Sequence, residues 1–247
     1  MGSESVPHPS LSVIIPAYNE AGTLEEIIRR VRATGLVQQL VVVDDGSSDD
    51  SPAILARAAG GVPPLHILRH ARNQGKGAAI QTGLAAVMGD VVLVQDADLE
   101  YDPADYPALL APFGKSGVEV VYGSRNLRRN PQSSFCFYWG GRLLSWVTNR
   151  LYGSRITDEA TGYKVIRTAL LRDMNLEKEG FEFCAEVTGK LLRRGVRIHE
   201  VPISYRPRSR REGKKIKWTD GFIAIQTLLR YRFSSHSVRG ETPRRPK

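Results

Sequence analysis

Cysteine is scarce. Cys136 and Cys184 are the two in 247 residues. A distant pair is no disulfide framework, and a reducing compartment is the simpler setting. No CxxC pair or His/Cys cluster suggests a zinc site. The opening stretch MGSESVPHPS has no apolar h-region, so no signal peptide is expected. No run approaches the roughly 18 uncharged apolar residues of a transmembrane helix. The five histidines, His8, His66, His70, His199 and His236, show no pairing pattern, and each reads as structural or exposed. There is no internal repeat. Gly75-Lys76-Gly77 lacks the GxGxxG spacing of a dinucleotide-binding turn.

What is present is an ordinary globular balance, 41% hydrophobic and 25% charged, and enough length for one large α/β domain with a real core. The net charge is +9, and the excess lies in the second half: Arg125, Arg128 and Arg129, then Arg206–Lys217, then Arg244, Arg245 and Lys247. Such clusters suit phosphates, anionic lipid or nucleic acid, or are simply a solvated basic face.

Leu11–Pro16 is a short apolar run ending at proline, as in a buried parallel strand. Thr23 and Glu26 have capping-box spacing, which predicts a helix start with Ile27, Ile28 and Val31 on its apolar side. Further strands are predicted over Leu40–Val43, Leu65–Leu68, Val91–Val94 and Val118–Tyr122. Helices are predicted through Ile54-Leu55 and over Gly75–Met88. Alternating strands and helices imply an α/β fold with a mostly parallel sheet flanked by helices. Ligands bind such sheets beyond the carboxyl ends of the strands. Tyr18-Asn19-Glu20, Asp44-Asp45, Asp96–Glu100 and Gly123-Ser124-Arg125 all fall at those ends and are expected to share one cleft.

Asp96-Ala97-Asp98 follows the strand Val91–Val94. In extended chain, residues two apart face the same way, so both carboxylates can serve one site and Glu100 adds a plausible third. Carboxylates with phosphate oxygens suit Mg²⁺ or Mn²⁺ better than zinc. Downstream, Ser133–Tyr152 is rich in aromatics and interrupted by Arg142 and Arg150. It reads either as one or two amphipathic helices lying in an interface or as a core helix on the sheet.

Pro16-Ala17-Tyr18-Asn19-Glu20, Val43–Asp49, Gly75–Ala79, Asp96-Ala97-Asp98 and Gly123-Ser124-Arg125 together resemble the ordered motif series of family-2 glycosyltransferases. The likeness spans Leu11 to about Tyr231. It is nearest to dolichyl/polyprenyl-phosphate mannose synthases and their glucosyl relatives, through Arg142–Ser145, Asp158 with Gly162-Tyr163-Lys164, and Val201-Pro202-Ile203 followed by Arg208, Glu212 and Lys214.

That resemblance implies a GT-A fold and an inverting transfer of a sugar, mannose from GDP-mannose first among them, to a polyprenyl phosphate. Glucosyl transfer from UDP-glucose is the alternative. It implies that Pro16, Tyr18, Glu20 and Asp45 hold the base and ribose, and that Asp96 and Ala97 line the nucleotide. Asp98 and Glu100 would hold Mg²⁺ or Mn²⁺. Arg125, Arg208 and Lys214 would neutralise phosphates, and Arg142 and Ser145 would face the acceptor. Asp96, Asp98 and Arg125 would carry the chemistry. Two departures bear on specificity: Glu100 stands where these synthases usually have Gln, and Glu182 where they often have Lys. The implied organisation is a flexible start (1–10), one domain (11–234) with acceptor helices at 133–152, and a disordered basic tail (235–247). The aromatic segment Ser133–Tyr152 with the nearby basic residues suggests peripheral contact with an anionic membrane, expected at the cytoplasmic face.

A lipid phosphate is already anionic and needs no general base. Transfer to a hydroxyl would need one, with Asp158 or Glu159 the candidate. A silent nucleotide-sugar or nucleic-acid binding module is the rival of another class. The acidic pairs would repel nucleic acid at the cleft.

Overall fold

The apolar run at the start builds the centre of the molecule. In the computed structural model, which describes residues 9–131, 135–208 and 218–234, β1 (Leu11–Ala17) sits mid-sheet. Its side chains alternate: Val13 and Ile15 enter one core cluster and Ile14 the other, all fully buried. β2 (Val37–Asp44) and β4 (Val91–Val94) flank β1 in parallel, and β3 (Leu65–Arg69) extends the sheet beyond β2. The full order is β3-β2-β1-β4-β6-β5-β7. Residues 1–8, 132–134 with Ser133, 209–217 with Glu212 and Lys214, and the tail 235–247 lie outside the described residues.

One strand breaks the parallel pattern. β6 (Lys164–Arg167) runs antiparallel between β4 and β5 (Val120–Ser124), and β7 (Ile198–Pro202) runs parallel to β5. Two reversals in succession return β5 to the direction of β1, β2 and β4. The carboxyl ends of all four therefore share one edge. Neither β6 nor β7 was legible as a strand, because each is only four or five residues long with charged residues at or beside its ends.

Helices cover both faces. α1 (Leu24–Ala33) and α2 (Ser51–Ala58) pack on one, with α4 (Tyr106–Leu110) beside them. α3 (Lys76–Ala86), α6 (Thr168–Asp173) and α7 (Phe183–Arg193) pack on the other. α1 starts where expected, but the capping box does not form. The Thr23 hydroxyl donates back to Glu20 at 3.0 Å, and Glu26 pairs with Arg29 at 2.7 Å and Arg30 at 2.6 Å. Two arginines three and four residues on outcompete the single backbone N–H that Glu26 would have capped.

The aromatic segment forms one helix, α5 (Phe135–Tyr152), packed against α8 (Trp218–Phe233) and α7 through a small core of Leu144, Ala185, Ala224 and Leu228. Among the described residues no helix is long and apolar enough to cross a membrane.

Gly83 lets α3 lie close on the sheet. A Cβ there would stand 2.7 Å from Cγ2 of Ile14 and 3.3 Å from that of Val43. Overpacking costs about 1–3 kcal/mol, while alanine gains about 1 kcal/mol of helix propensity. Gly83→Ala is therefore expected to lower the urea midpoint. An unchanged or higher midpoint would mean that α3 lifts freely.

Candidate active site

The shared edge opens into a cleft of ≈1500 Å³. Pro16 lies at the end of β1, Tyr18 and Glu20 follow it, Asp45 follows β2, Asp96, Ala97, Asp98 and Glu100 follow β4 and Arg125 follows β5, and all of these line it with Arg142 of α5 and Arg208. The convergence predicted from strand ends is realised.

The acidic turn reaches it by a different geometry from the extended alternation expected. β4 stops at Val94. Gln95, fully buried, then accepts hydrogen bonds from the hydroxyls of Tyr106 (2.8 Å) and Tyr163 (2.7 Å) and pins the chain. Beyond it the backbone turns, with Leu99 at φ +61°, and the Glu100 N–H donates to Asp98 Oδ1 at 3.1 Å. A turn, not an extended strand, gathers the carboxylates.

Each carboxylate has a cation or donor against it. Lys76, the first residue of α3, reaches Asp96 at 2.5 Å. Burial alone would lower the Lys76 ammonium, but the negative groups around it, Asp96 first, together outweigh burial and hold it above its ordinary value. Arg208 lies 3.3 Å from Asp98 and donates to both oxygens of Glu20 at 3.1 and 3.2 Å. Its backbone N–H donates to Glu100 Oε1 at 2.7 Å, and the Tyr205 hydroxyl donates to Glu100 Oε2 at 2.7 Å. Glu100 thus clamps the 205–208 segment over the turn. Asp98 keeps the least compensation: burial, then the charges of Asp96 and Glu100, push its carboxyl up to about 7, with Arg208 pulling the other way.

Opposite, Arg125 makes a bidentate pair with Asp158, Nε to Oδ2 and Nη2 to Oδ1 at 2.7 Å each, and its backbone N–H also donates to Oδ2. The guanidinium lies 5.0 Å from the Tyr205 ring. Glu200 of β7 accepts the N–H groups of Thr157 and Asp158 and holds that loop in place. Both oxygens of the fully buried Asp158 are committed to Arg125, which leaves it badly placed as a free base.

Two expected contacts take other forms. Ser145 is buried and does not line the cleft. Its hydroxyl donates to Gly141 O and accepts the Glu159 N–H, both at 3.0 Å, because one turn of α5 faces the 157–162 loop there. Asp45 reaches the cleft wall, yet its oxygens are taken by His70 Nδ1 (2.7 Å) and the N–H groups of Gln74 (2.9 Å) and Gly75 (2.8 Å). It organises the turn into α3. His70, bridging Asp45 and Thr82, is structural.

Residues 12–174, well over half the chain, match the profile of glycosyl transferase family 2. The chain belongs to glycosyl transferase family 2. Among curated relatives it is 31% identical over 210 residues to an undecaprenyl-phosphate 4-deoxy-4-formamido-L-arabinose transferase of Edwardsiella ictaluri, covering 83% of this chain and 62% of that protein. The enzyme of the same name from Klebsiella pneumoniae is 31% identical over 208 residues, covering 82% and 61%. The chain thus spans under two thirds of the length of these relatives. The fold is GT-A. Glucosyl-3-phosphoglycerate synthase from Mycobacterium tuberculosis in complex with UDP superposes with TM-score 0.71 at 22% identity, over 91% of this chain and 80% of that one. The same enzyme with Mn²⁺, UDP and phosphoglyceric acid gives 0.71 at 23%, over 91% and 79%.

Within this family-2 cleft the sequence reading passed over Lys76 and Tyr205. Lys76 stood inside a quoted motif, but nothing in one dimension says that its ammonium crosses to Asp96. The Arg125–Asp158 pair offers a test of the geometry. Breaking a buried pair by removing one partner costs about 3–5 kcal/mol, because the other charge stays buried. Asp158→Ala is expected to lose that much stability in urea denaturation. Loss of under about 1 kcal/mol, the scale of an exposed pair, would show that Arg125 finds water or another partner.

Proposed function

We propose that the chain transfers a sugar from a nucleotide-sugar to a polyprenyl phosphate. One observation supports this above the rest: a single cleft has a floor of carboxylates, a ring of cations and an aromatic mouth. Asp96 and Asp98 lie with Lys76, Arg125 and Arg208 at the inner end, and Phe137, Tyr138 and Phe222 line the outer end beside Arg142. A nucleoside diphosphate needs the first set, and a phosphate on a long apolar chain suits the second.

Mg²⁺ or Mn²⁺ fits the residues present. Among the described residues no three His, Cys, Asp or Glu side chains form a cage for an ion. A small hard cation at a nucleotide site commonly takes one or two carboxylates and completes its shell with phosphate oxygens. Asp98, crowded by like charge, is the carboxylate such an ion would relieve, with Glu100 beside it. A bound ion would draw off charge from the leaving diphosphate. The chain's own part is to place cations where that charge grows: Arg208 and Lys76 already stand against the acidic turn, and Arg125 is held rigid by Asp158. Pro16, Tyr18 and Glu20 form the wall on which base and ribose would rest. The acceptor phosphate, steered by Arg142, attacks the anomeric carbon directly, and the bond to the diphosphate breaks as the new bond forms.

The named relatives support a polyprenyl phosphate acceptor. Mannose has no such support: those relatives are named for a modified arabinose, and the structural neighbours hold UDP. A panel of nucleotide-sugars with short polyprenyl phosphates and Mg²⁺ or Mn²⁺ identifies the pair. Asp98→Ala, or EDTA on the wild type, is expected to lower turnover at least a hundredfold with the circular dichroism unchanged, on the scale of losing a principal transition-state contact, about 10²–10³. Full activity in EDTA would remove the metal.

The same cleft mouth suggests peripheral seating on anionic lipid at the cytoplasmic face. Trp139, Leu143 and Trp146 of α5 are 54%, 52% and 64% exposed along one side of the helix, and Phe222, Ile223 and Phe233 of the adjoining α8 are exposed too. The wild type is expected to sediment with phosphatidylglycerol vesicles and to release at high salt. Trp139→Ser with Trp146→Ser is expected to reduce the bound fraction severalfold. Equal binding by the double variant would place lipid contact elsewhere.

A further inference from the structure

Glu186 of α7 is a fully buried carboxylate far from any role assigned above. Four donors converge on it: the N–H groups of Glu177 and Lys178 at 2.9 Å each, the Tyr231 hydroxyl at 2.7 Å and the Lys190 ammonium at 2.7 Å. It ties the 177–179 backbone down on one side and α8 on the other.

That backbone in turn meets the start of α3. The Ala78 N–H donates to Glu179 O at 3.1 Å, and Gln81 Nε2 donates to Lys178 O at 3.0 Å. The approach is so close that only glycine fits on both sides of Lys76. A Cβ on Gly75, which sits at φ +104°, would stand 2.5 Å from Glu179 O, and one on Gly77 would overlap Lys178 O. The Gly-Lys-Gly spelling thus reflects a backbone-on-backbone contact. Between the two glycines, Lys76 is aimed at Asp96.

We propose that Glu186 is a positioning residue for the donor end of the cleft: by clamping the 177–179 backbone it seats the Gly75–Gly77 turn and so fixes where Lys76 meets Asp96. This rests on reading that end of the cleft as the nucleotide-sugar site. A glutamine at 186 cannot accept through its NH₂ group, so at least one of the converging donors is left without a partner, and the clamp loosens.

The test is titration calorimetry with UDP and with GDP, each with Mn²⁺, on wild type, Glu186→Gln, Lys76→Met and the double variant. Each single variant is expected to bind the preferred diphosphate about tenfold more weakly, and the double variant no more weakly than Lys76→Met, since groups acting through one contact are not additive. A general loss of packing would instead add its effect to that of Lys76→Met. Gly77→Ala attacks the same contact from the α3 side and improves helix propensity, so it serves if Glu186→Gln does not fold. It too is expected to weaken binding about tenfold, again with no further loss in combination with Lys76→Met. Wild-type affinity in Glu186→Gln or Gly77→Ala, additive losses, or an unaffected Lys76→Met would each overturn the inference. If the wild type binds neither diphosphate, the donor reading itself fails, and that outcome is distinct from the others.

Discussion

Like charge at one sheet edge is the constraint on which this cleft depends. Glu20, Asp96, Asp98 and Glu100 crowd the ends of β1 and β4, the two glutamates at most 9% exposed and the two aspartate side chains 18–20%. An uncompensated charge so placed costs several kcal/mol. The surrounding structure reads as a set of answers to that cost. Lys76 comes from the start of α3, Arg208 from beyond β7, and the Tyr205 hydroxyl with the Arg208 N–H from the 205–208 segment. The same cations are what a diphosphate requires. Neutralising the floor and receiving a ligand are thus one arrangement, in which phosphate competes with carboxylate for the same donors.

The constraint explains which parts of the site were legible in the sequence. Apolar runs ending in acidic or Gly-rich turns place residues at strand ends whatever the tertiary detail, because a buried parallel strand has only one place to expose polar groups. Pro16 to Glu20, Asp45, Asp96 to Glu100 and Arg125 were found that way. What one dimension does not contain is partner choice. Asp45 and Ser145 both lie in the neighbourhood of the cleft, and each is held by nearby backbone groups that the sequence does not reveal. The capping box failed for the same reason: Glu26 had arginines within reach. β6 and β7 escaped notice because short strands owe their pairing to the sheet they join and little to their own pattern.

The inserted antiparallel strand has a consequence for chemistry. If β5 had joined the sheet directly at β4, Arg125 would lie one strand spacing from Asp96, about 5 Å. β6 between them roughly doubles that separation. The acidic turn and the Arg125–Asp158 pair thus stand on two banks of the cleft. β6 also delivers the 157–163 loop, whose Asp158 holds Arg125 and whose Tyr163 pins Gln95 beneath the acidic turn. One short strand thus sets both the width of the cleft and the rigidity of its two banks.

The state of Asp158 bears on the kind of acceptor. A base that takes a proton from a hydroxyl must present a free lone pair to it within about 3 Å. Both Asp158 oxygens face the Arg125 fork, and swinging one away would leave a guanidinium unpaired in a buried setting. Glu159 is buried as well, under α5 and α7, and its carboxyl is raised by that burial. A carboxyl raised by burial is the better proton acceptor, and Glu159 lines the cleft, so a hydroxyl acceptor would have to rely on it. An acceptor that arrives as an anion avoids the difficulty. It needs cations to guide it and no proton acceptor to activate it, and the cleft supplies Arg142 at the mouth and Arg125 within. The commitment of Asp158 to Arg125 fits the proposed phosphate nucleophile, and the aromatic residues of α5 and α8 that line the cleft fit a phosphate carried on an apolar chain.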